Sequence, residues 1–214
     1  MKALWVMAPL LASSLAWAGN HTPPPVVEAS SFAAIENHAD EHLVIAAEPY
    51  DTRAKAALFR VDYLKHGILP IRLIITNTGD RPISLRNARI LFVTAAGEEF
   101  NTAEPEDVER HITRREREGT SVPLPTGLPG IKLGHKISNK NIELDFDTLE
   151  FQSLVVEPHS TRAGFLFYDL SELDKPLVGA KLHLSRICNA DGDELFYFEI
   201  PFDKYLQSKS QPEP

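Results

Sequence analysis

The sequence predicts a mainly β fold, an antiparallel sandwich of about seven to eight strands with short helices and one helix-plus-loop insertion. Three observations predict it. Short apolar runs rich in Val, Ile and Phe recur through residues 43–206, each bounded by Gly, Pro, Asn or Asp. Two of these runs flank Asp191-Gly192, a pair that turns a chain back on itself because it tolerates the left-handed backbone of a hairpin turn. The composition, 43% hydrophobic and 24% charged over 214 residues, supplies one apolar core and is too polar for a polytopic membrane protein.

Residues 1–18 carry Lys2, an uncharged apolar stretch over 3–15, and Ala16-Trp17-Ala18. These are the parts of a cleavable signal peptide, with cleavage after Ala18 and a periplasmic or secreted product. The stretch is shorter than the ~20 residues that span a bilayer. No cysteine follows the cleavage site, which excludes a lipid anchor there, and no transmembrane span is expected in the mature chain. Cleavage removes both Met, both Trp and Lys2, leaving 21 basic against 30 acidic residues, a formal charge of −9 instead of −8. A Met-ligated copper site and a Trp sugar platform are thereby excluded. The acidic balance argues against nucleic acid as a partner, since phosphate contacts need clustered Lys and Arg. Cys188 is the single cysteine, so the chain has no disulfide of its own; it reads as a small buried strand residue.

The elements follow in order. Residues 19–42 are expected to be a Pro-containing leader and a short helix. Pro23-Pro24-Pro25 favours an extended, weakly ordered segment over 20–31. Phe32, Ile35 and Ala39 have helical spacing. A strand over 43–47 ends at Glu48-Pro49, and Asp51 is placed to cap a short helix over 54–59. Strands are expected over 70–76, 83–85, 88–94, 148–156 and 162–168, then a hairpin of 177–188 and 194–202. In its last strand Phe196, Phe198 and Ile200 share a face opposite Glu199. The tail, 207–214, is polar and expected to fray.

The insertion, 104–134, opens with a helix over 104–118. Its acids precede its arginines, matching the helix dipole, and Val108 and Ile112 form a narrow apolar stripe. A stretch with Pro123, Pro125, Gly127, Pro129 and Gly130 follows. An insertion this long reads as a recognition surface that can be removed without unfolding the sandwich. Arg110, Arg114, Arg115 and Arg117 are its candidate partner-binding residues, set against the bland reading of an ion-paired, solvated helix face.

Residues 67–85 place an apolar strand before Asn77-Thr78-Gly79-Asp80 and a second strand after it. This resembles the strand–turn–strand of bacterial immunoglobulin-like domains, and 156–167 is similar to their later paired strands. The resemblance covers 43–206 and lacks the Cys…Trp…Cys core of antibody-type domains. It implies an immunoglobulin-like sandwich of an exported protein family, of the kind that links, adheres or assembles; fold alone does not assign activity.

His38-Ala-Asp-Glu41-His42 is the one catalytic pattern present. On a helix, His38 and His42 would share a face and grip zinc while Glu41 activates water, with Glu109, Glu116 or Glu118 as third ligand. Its place before the first clear strand weighs against that reading. Asn189 to Glu194 carries oxygen ligands resembling part of a calcium loop, without the full spacing, and reads better as a hairpin turn. G-x-S-x-G, phosphate-loop, G-x-G-x-x-G and H-E-x-x-H patterns are missing. The expectation is a non-enzymatic binding or assembly module with a protein or cell-envelope partner and no cofactor. The alternatives are a zinc hydrolase on His38, Glu41 and His42, and carbohydrate binding through Tyr-lined loops.

Overall fold

Burial on both faces organises the fold. In the computed structural model, which describes residues 21–119 and 139–210, the central strand is buried at all ten positions. The expected signal peptide, the Pro/Gly loop and the end of the tail lie outside the described residues.

Among the described residues, ten strands form three antiparallel sheets, with four α-helices. The first sheet orders β1 (Ile35–His38), β2 (Leu43–Pro49), β3 (Ile68–Asn77) and β8 (Ser160–Asp169) as β1-β2-β3-β8. The second orders β10 (Phe198–Pro201), β9 (Lys181–Ser185), β5 (Arg89–Val93) and β6 (Glu99–Asn101) as β10-β9-β5-β6. The short β4 (Ile83–Ser84) and β7 (Val155–Val156) pair with each other. β3 and β8 run side by side over their full length, from Ile68 opposite Asp169 to Asn77 opposite Ser160.

Side chains alternate across a strand, so β3 sends two sets in opposite directions. Leu69, Ile71, Leu73 and Ile75 join Leu43 and Ile45 of β2 in one apolar cluster. The second sheet contributes Phe92, Leu182, Leu184, Phe198 and Ile200 to the same cluster. On the outer face, Ile68 meets Phe165 and Phe167 of β8 under α2 (Pro105–Gly119) and α3 (Asn139–Leu149), which contribute Val108, Ile112, Ile142, Phe146 and Leu149. Further along that face, Ile74 packs with Val44, Ala46 and Ala29. Gly164 lets the chain after α3 lie against β8: a Cβ there would sit 2.5 Å from the Phe151 Cα, where the Phe151 N–H donates to the Phe165 carbonyl at 2.9 Å.

The leader is not loose. Arg72, on the outer face of β3, donates to the Pro24 and Pro25 carbonyls at 3.2 and 2.7 Å. Thr76 Oγ1 accepts from the Ala29 N–H at 2.9 Å. Polar groups buried on an apolar strand need partners, and the leader backbone supplies them. The expected helix over 32–42 is instead β1 and a 3-10 turn at Ala39–Glu41.

Residues 148–156 differ too. Ile142, Phe146 and Leu149 are buried at helical spacing, so α3 runs to Leu149 and only Val155–Val156 is strand. Thr52, rather than Asp51, caps the short α1 (Arg53–Ala56), accepting from the Lys55 N–H. Asp51 instead receives Tyr205 Oη at 2.6 Å and Lys209 Nζ at 2.7 Å from α4 (Asp203–Ser210), which holds in a helix the start of the tail expected to fray. Cys188 lies beyond β9 and is half-buried, its backbone exchanging hydrogen bonds with Ser84.

Asp145 of α3 is fully buried. It accepts the Arg60 N–H at 2.9 Å, Arg60 Nη1 at 2.9 Å and Tyr63 Oη at 3.2 Å, fastening α3 to the segment that carries Phe59 and Tyr63. Asp145→Ala leaves the Arg60 guanidinium without its partner and should lower the unfolding free energy by about 3–5 kcal/mol, measured by urea denaturation. A change under ~1 kcal/mol would show that this pair does not hold α3.

Candidate functional site at the seam of the two sheets

β1 is an edge of the first sheet and β10 an edge of the second. Edge strands leave backbone N–H groups unpaired, and here two carboxylates take one such group on β10 and one just before it. Glu36 Oε2 accepts from the Glu199 N–H at 3.0 Å, and Glu41 Oε1 accepts from the Phe196 N–H at 2.9 Å. The second oxygen of each carboxylate meets one imidazole: His38 Nε2 lies 3.0 Å from Glu36 Oε1, and Nδ1 lies 2.9 Å from Glu41 Oε2. The same ring stacks on Phe198, with centroids 3.8 Å apart and planes inclined by 20°. His38 therefore joins the two sheets through both polar and aromatic contact.

Only the doubly protonated imidazole donates to both carboxylates at once. Partial burial pulls the His38 pKa down, but the hydrogen bonds and charges of Glu41 and Glu36 outweigh it and hold the pKa above the ordinary 6.5. Nearby on β9 and β10, Glu199 lies 2.7 Å from Lys181 Nζ and 3.5 Å from His183 Nδ1; the Lys181 bond leads in keeping its carboxyl below the usual range.

The zinc reading depends on a helix, and the helix is absent. His38 ends β1, Glu41 sits in the 3-10 turn, and His42 adopts a left-handed backbone with φ 52°. His42 is held there by the Thr78 N–H, which donates to its carbonyl at 2.8 Å. Glu41 is bonded to His38 rather than standing free as a base. Among the described residues, no group of three or more His, Cys, Asp or Glu is arranged to hold a metal ion.

His42 lines a neighbouring groove of about 570 Å³ together with Asp80, Arg81, His159, Asn189 and Leu195. His159 also has a left-handed backbone, φ 49°, and its Nε2 lies 2.8 Å from Asp80 Oδ1. Arg81 holds Asp191 through two bonds of 2.5 and 2.7 Å. Asn189 Oδ1 accepts the Asp191 and Asp193 N–H groups, both at 2.9 Å. The oxygens that resembled a calcium loop thus close the turn and tie it to Arg81.

Beside this groove, Phe196 and Tyr197 are 78% and 58% exposed. Phe196 alternates with Phe198 and Ile200 as expected, yet only the latter two are buried, because β10 begins at Phe198 and the second sheet ends there. The backbone at this point is pinned: the Leu195 N–H donates to the Ile187 carbonyl at 2.8 Å, and the Phe196 N–H to Glu41. Tyr197 lies against His183, with ring centroids 5.5 Å apart. The sequence reading missed Glu36, Phe196 and Tyr197. The signal for Glu36 was its two-residue spacing from His38, which sets both on one face of a strand and means nothing on the helix expected there.

The arginines lie elsewhere. Arg110 pairs with Asp107 one turn earlier, Arg114 is exposed, and Arg115 Nη2 donates to the Ser171 carbonyl at 3.3 Å. The Arg117 side chain is outside the described residues. The inner face of α2 is no separable insertion: Val108 and Ile112 cover Phe165 and Phe167. Buried His111 sets Nδ1 2.8 Å from Asp169 and Nε2 2.9 Å from the His66 carbonyl. Removing residues 104–132 would uncover the outer face of the first sheet. The Tyr-lined loops are not there either: Tyr50, Tyr63, Tyr168 and Tyr205 are buried, leaving Tyr197.

The raised His38 pKa fixes the sign of a pH dependence. The folded state binds the proton more tightly than the unfolded chain. That stabilisation is fully present below pH 6.5 and is lost as the pH rises through the folded-state pKa. Urea midpoints should fall between pH 6 and pH 8, and His38→Gln should remove that part of the fall. An unchanged pH profile in His38→Gln would show that the imidazolium does not join the sheets.

No protein-family model matches the chain, and no curated protein or solved structure matches it.

Proposed function

We propose that the protein is an exported, non-enzymatic binding module that docks a protein or cell-envelope partner through Phe196 and Tyr197 at the seam. One observation carries the reading: two large aromatic side chains stand in solvent on a backbone held by Glu41 and Ile187. Aromatic anchors dominate binding energy where the backbone beneath them is already ordered, because little further entropy is lost on association. The 570 Å³ groove reached through Leu195 extends the surface beside them.

The rest of the reading has its own support. Lys2, the apolar run and Ala16-Trp17-Ala18 support export. Two four-stranded antiparallel sheets sharing one apolar cluster, with the turn at Asn77 between β3 and β4, support an immunoglobulin-like sandwich. Among the described residues no helix is long and apolar enough to cross a membrane. The one carboxylate of the H-x-x-E-H pattern, Glu41, is engaged in holding the seam, which favours binding over hydrolysis. The arginine face of α2 is the weaker candidate surface, since Arg110 and Arg115 already have partners.

A photo-crosslinking residue in place of Tyr197 should give a discrete adduct in the native cell envelope, and the same residue in place of Arg114 should not. The Phe196→Ala, Tyr197→Ala double variant should keep its unfolding free energy within ~0.5 kcal/mol. It should weaken the captured partner's binding by tenfold or more, about 1.4 kcal/mol. An adduct from position 114 alone, or full affinity in the double variant, would move the surface away from the seam.

A further inference from the structure

At the opposite end of the β3–β8 ladder from the seam lies a second groove of about 450 Å³, within the ~300–1,000 Å³ typical of small-molecule sites. Its floor is set where Gly67, with φ 78°, meets the chain after β8: a Cβ there would lie 2.5 Å from the Ser171 Cα. The Leu170 N–H donates to the Gly67 carbonyl at 3.0 Å, closing the same contact. Leu64, Leu69, Leu173, Leu177, Val178 and Leu206 are among its walls. Val178 is 58% exposed with nothing covering it among the described residues.

The polar groups at this groove are few and unequal. Asp51 is neutralised, receiving Tyr205 Oη and Lys209 Nζ. Lys175 lines the groove, has a left-handed backbone with φ 50°, and its ammonium makes no hydrogen bond or ion pair with the described residues. Arg115 does not line the groove; its Nη2 donates to the carbonyl of Ser171, which does, at 3.3 Å. Glu172 and Asp174 precede Lys175 in sequence, are exposed, and likewise do not line the groove. The lining is thus aliphatic, with a partnered carboxylate at Asp51 and an unpartnered ammonium at Lys175.

We propose that this groove binds a fatty acid, the single acyl chain lying along the leucines and the carboxylate meeting Lys175. The chemistry separates this ligand from its rivals. A peptide laid in the trough would bring an amide at every residue, and walls of Leu and Val leave those groups without hydrogen bonds, at a desolvation cost for each. An acyl chain brings no polar group except the one at its end. A neutral apolar ligand would gain nothing from the Lys175 ammonium. The inference is independent of the seam: the two sites share no lining residue.

Titration of the purified protein with cis-parinaric acid, followed by its fluorescence, tests this. Saturable one-to-one binding is expected. Lys175→Glu and the methyl ester of the probe should each weaken it at least tenfold, and Val178→Asp should abolish it. Both substituted residues are exposed, so thermal unfolding should be unchanged and a loss of binding is not a loss of fold. Phe196→Ala, Tyr197→Ala should bind the probe normally, which separates this site from the seam. Absence of saturable binding, equal affinity for acid and ester, or unchanged affinity in Lys175→Glu would overturn the proposal. A concentration-dependent dimer in light scattering that Val178→Asp dissolves would assign the groove to a second copy of the chain and overturn it likewise.

Discussion

The double-sided burial of β3 is the constraint on which the rest depends. A strand apolar on one face needs one covering layer; this one is buried at all ten positions and needs two. The second sheet covers the inner face through Phe92, Leu182, Leu184 and Phe198. The outer face is shared between the two helices at one end and the leader at the other. Arg72 and Thr76 show how strict the constraint is. Each points outward from the strand, Arg72 near its middle and Thr76 near its end, and each is satisfied by leader backbone. Helices and leader are thus layers of the core, although both look peripheral along the sequence.

Two sheets packed over one core still have open sides. At the β1–β10 side the gap is closed by side chains in place of a backbone ladder. Glu36 and Glu41 present oxygens where a paired strand would present carbonyls, and His38 holds both carboxylates in place while stacking on Phe198. Charge-assisted bonds of this kind are shorter and stronger than neutral ones. The arrangement also makes the seam rigid without making it apolar. Phe196 and Tyr197 therefore stand outside the core on ordered backbone, the condition under which an exposed aromatic can contribute to recognition.

The two ends of the β3–β8 ladder differ in chemistry. At the Asn77 end, turns carrying His42, Asp80, Arg81 and His159 surround a polar groove. At the Ile68 end, leucines from β3, the chain after β8 and α4 surround an apolar one. The contrast follows from what closes each end. Tight polar turns fold back on themselves through Asn77 and Asn189 side chains, whose amide and carbonyl groups satisfy nearby backbone. The other end is bridged by a longer loop and a helix, and Gly67 lets them approach without filling the space between them.

Local pattern was enough for the strands over 43–47, 70–76, 88–94 and 162–168, for the helix over 104–118, and for the Asp191-Gly192 turn. Each is specified by neighbours within a few residues, through alternation, helical spacing or turn chemistry. What failed was whatever depends on a distant partner. Residues 32–42 hold apolar positions at helical spacing, yet Ile35–His38 becomes a strand because β2 offers an edge to pair with. Phe196 has the same local pattern as Phe198, and only the length of the second sheet leaves one outside and buries the other. His38, Glu41 and His42 match a metal motif in sequence. Glu41 instead meets the Phe196 N–H, and His38 is held between Glu41 and Glu36, which meets the Glu199 N–H; both N–H groups are more than 150 positions away. The chain by itself determined the apolar runs, the turns and the charge. The tertiary structure alone decided which edges meet, because unpaired N–H groups and buried charges are satisfied by partners that sequence order does not bring together.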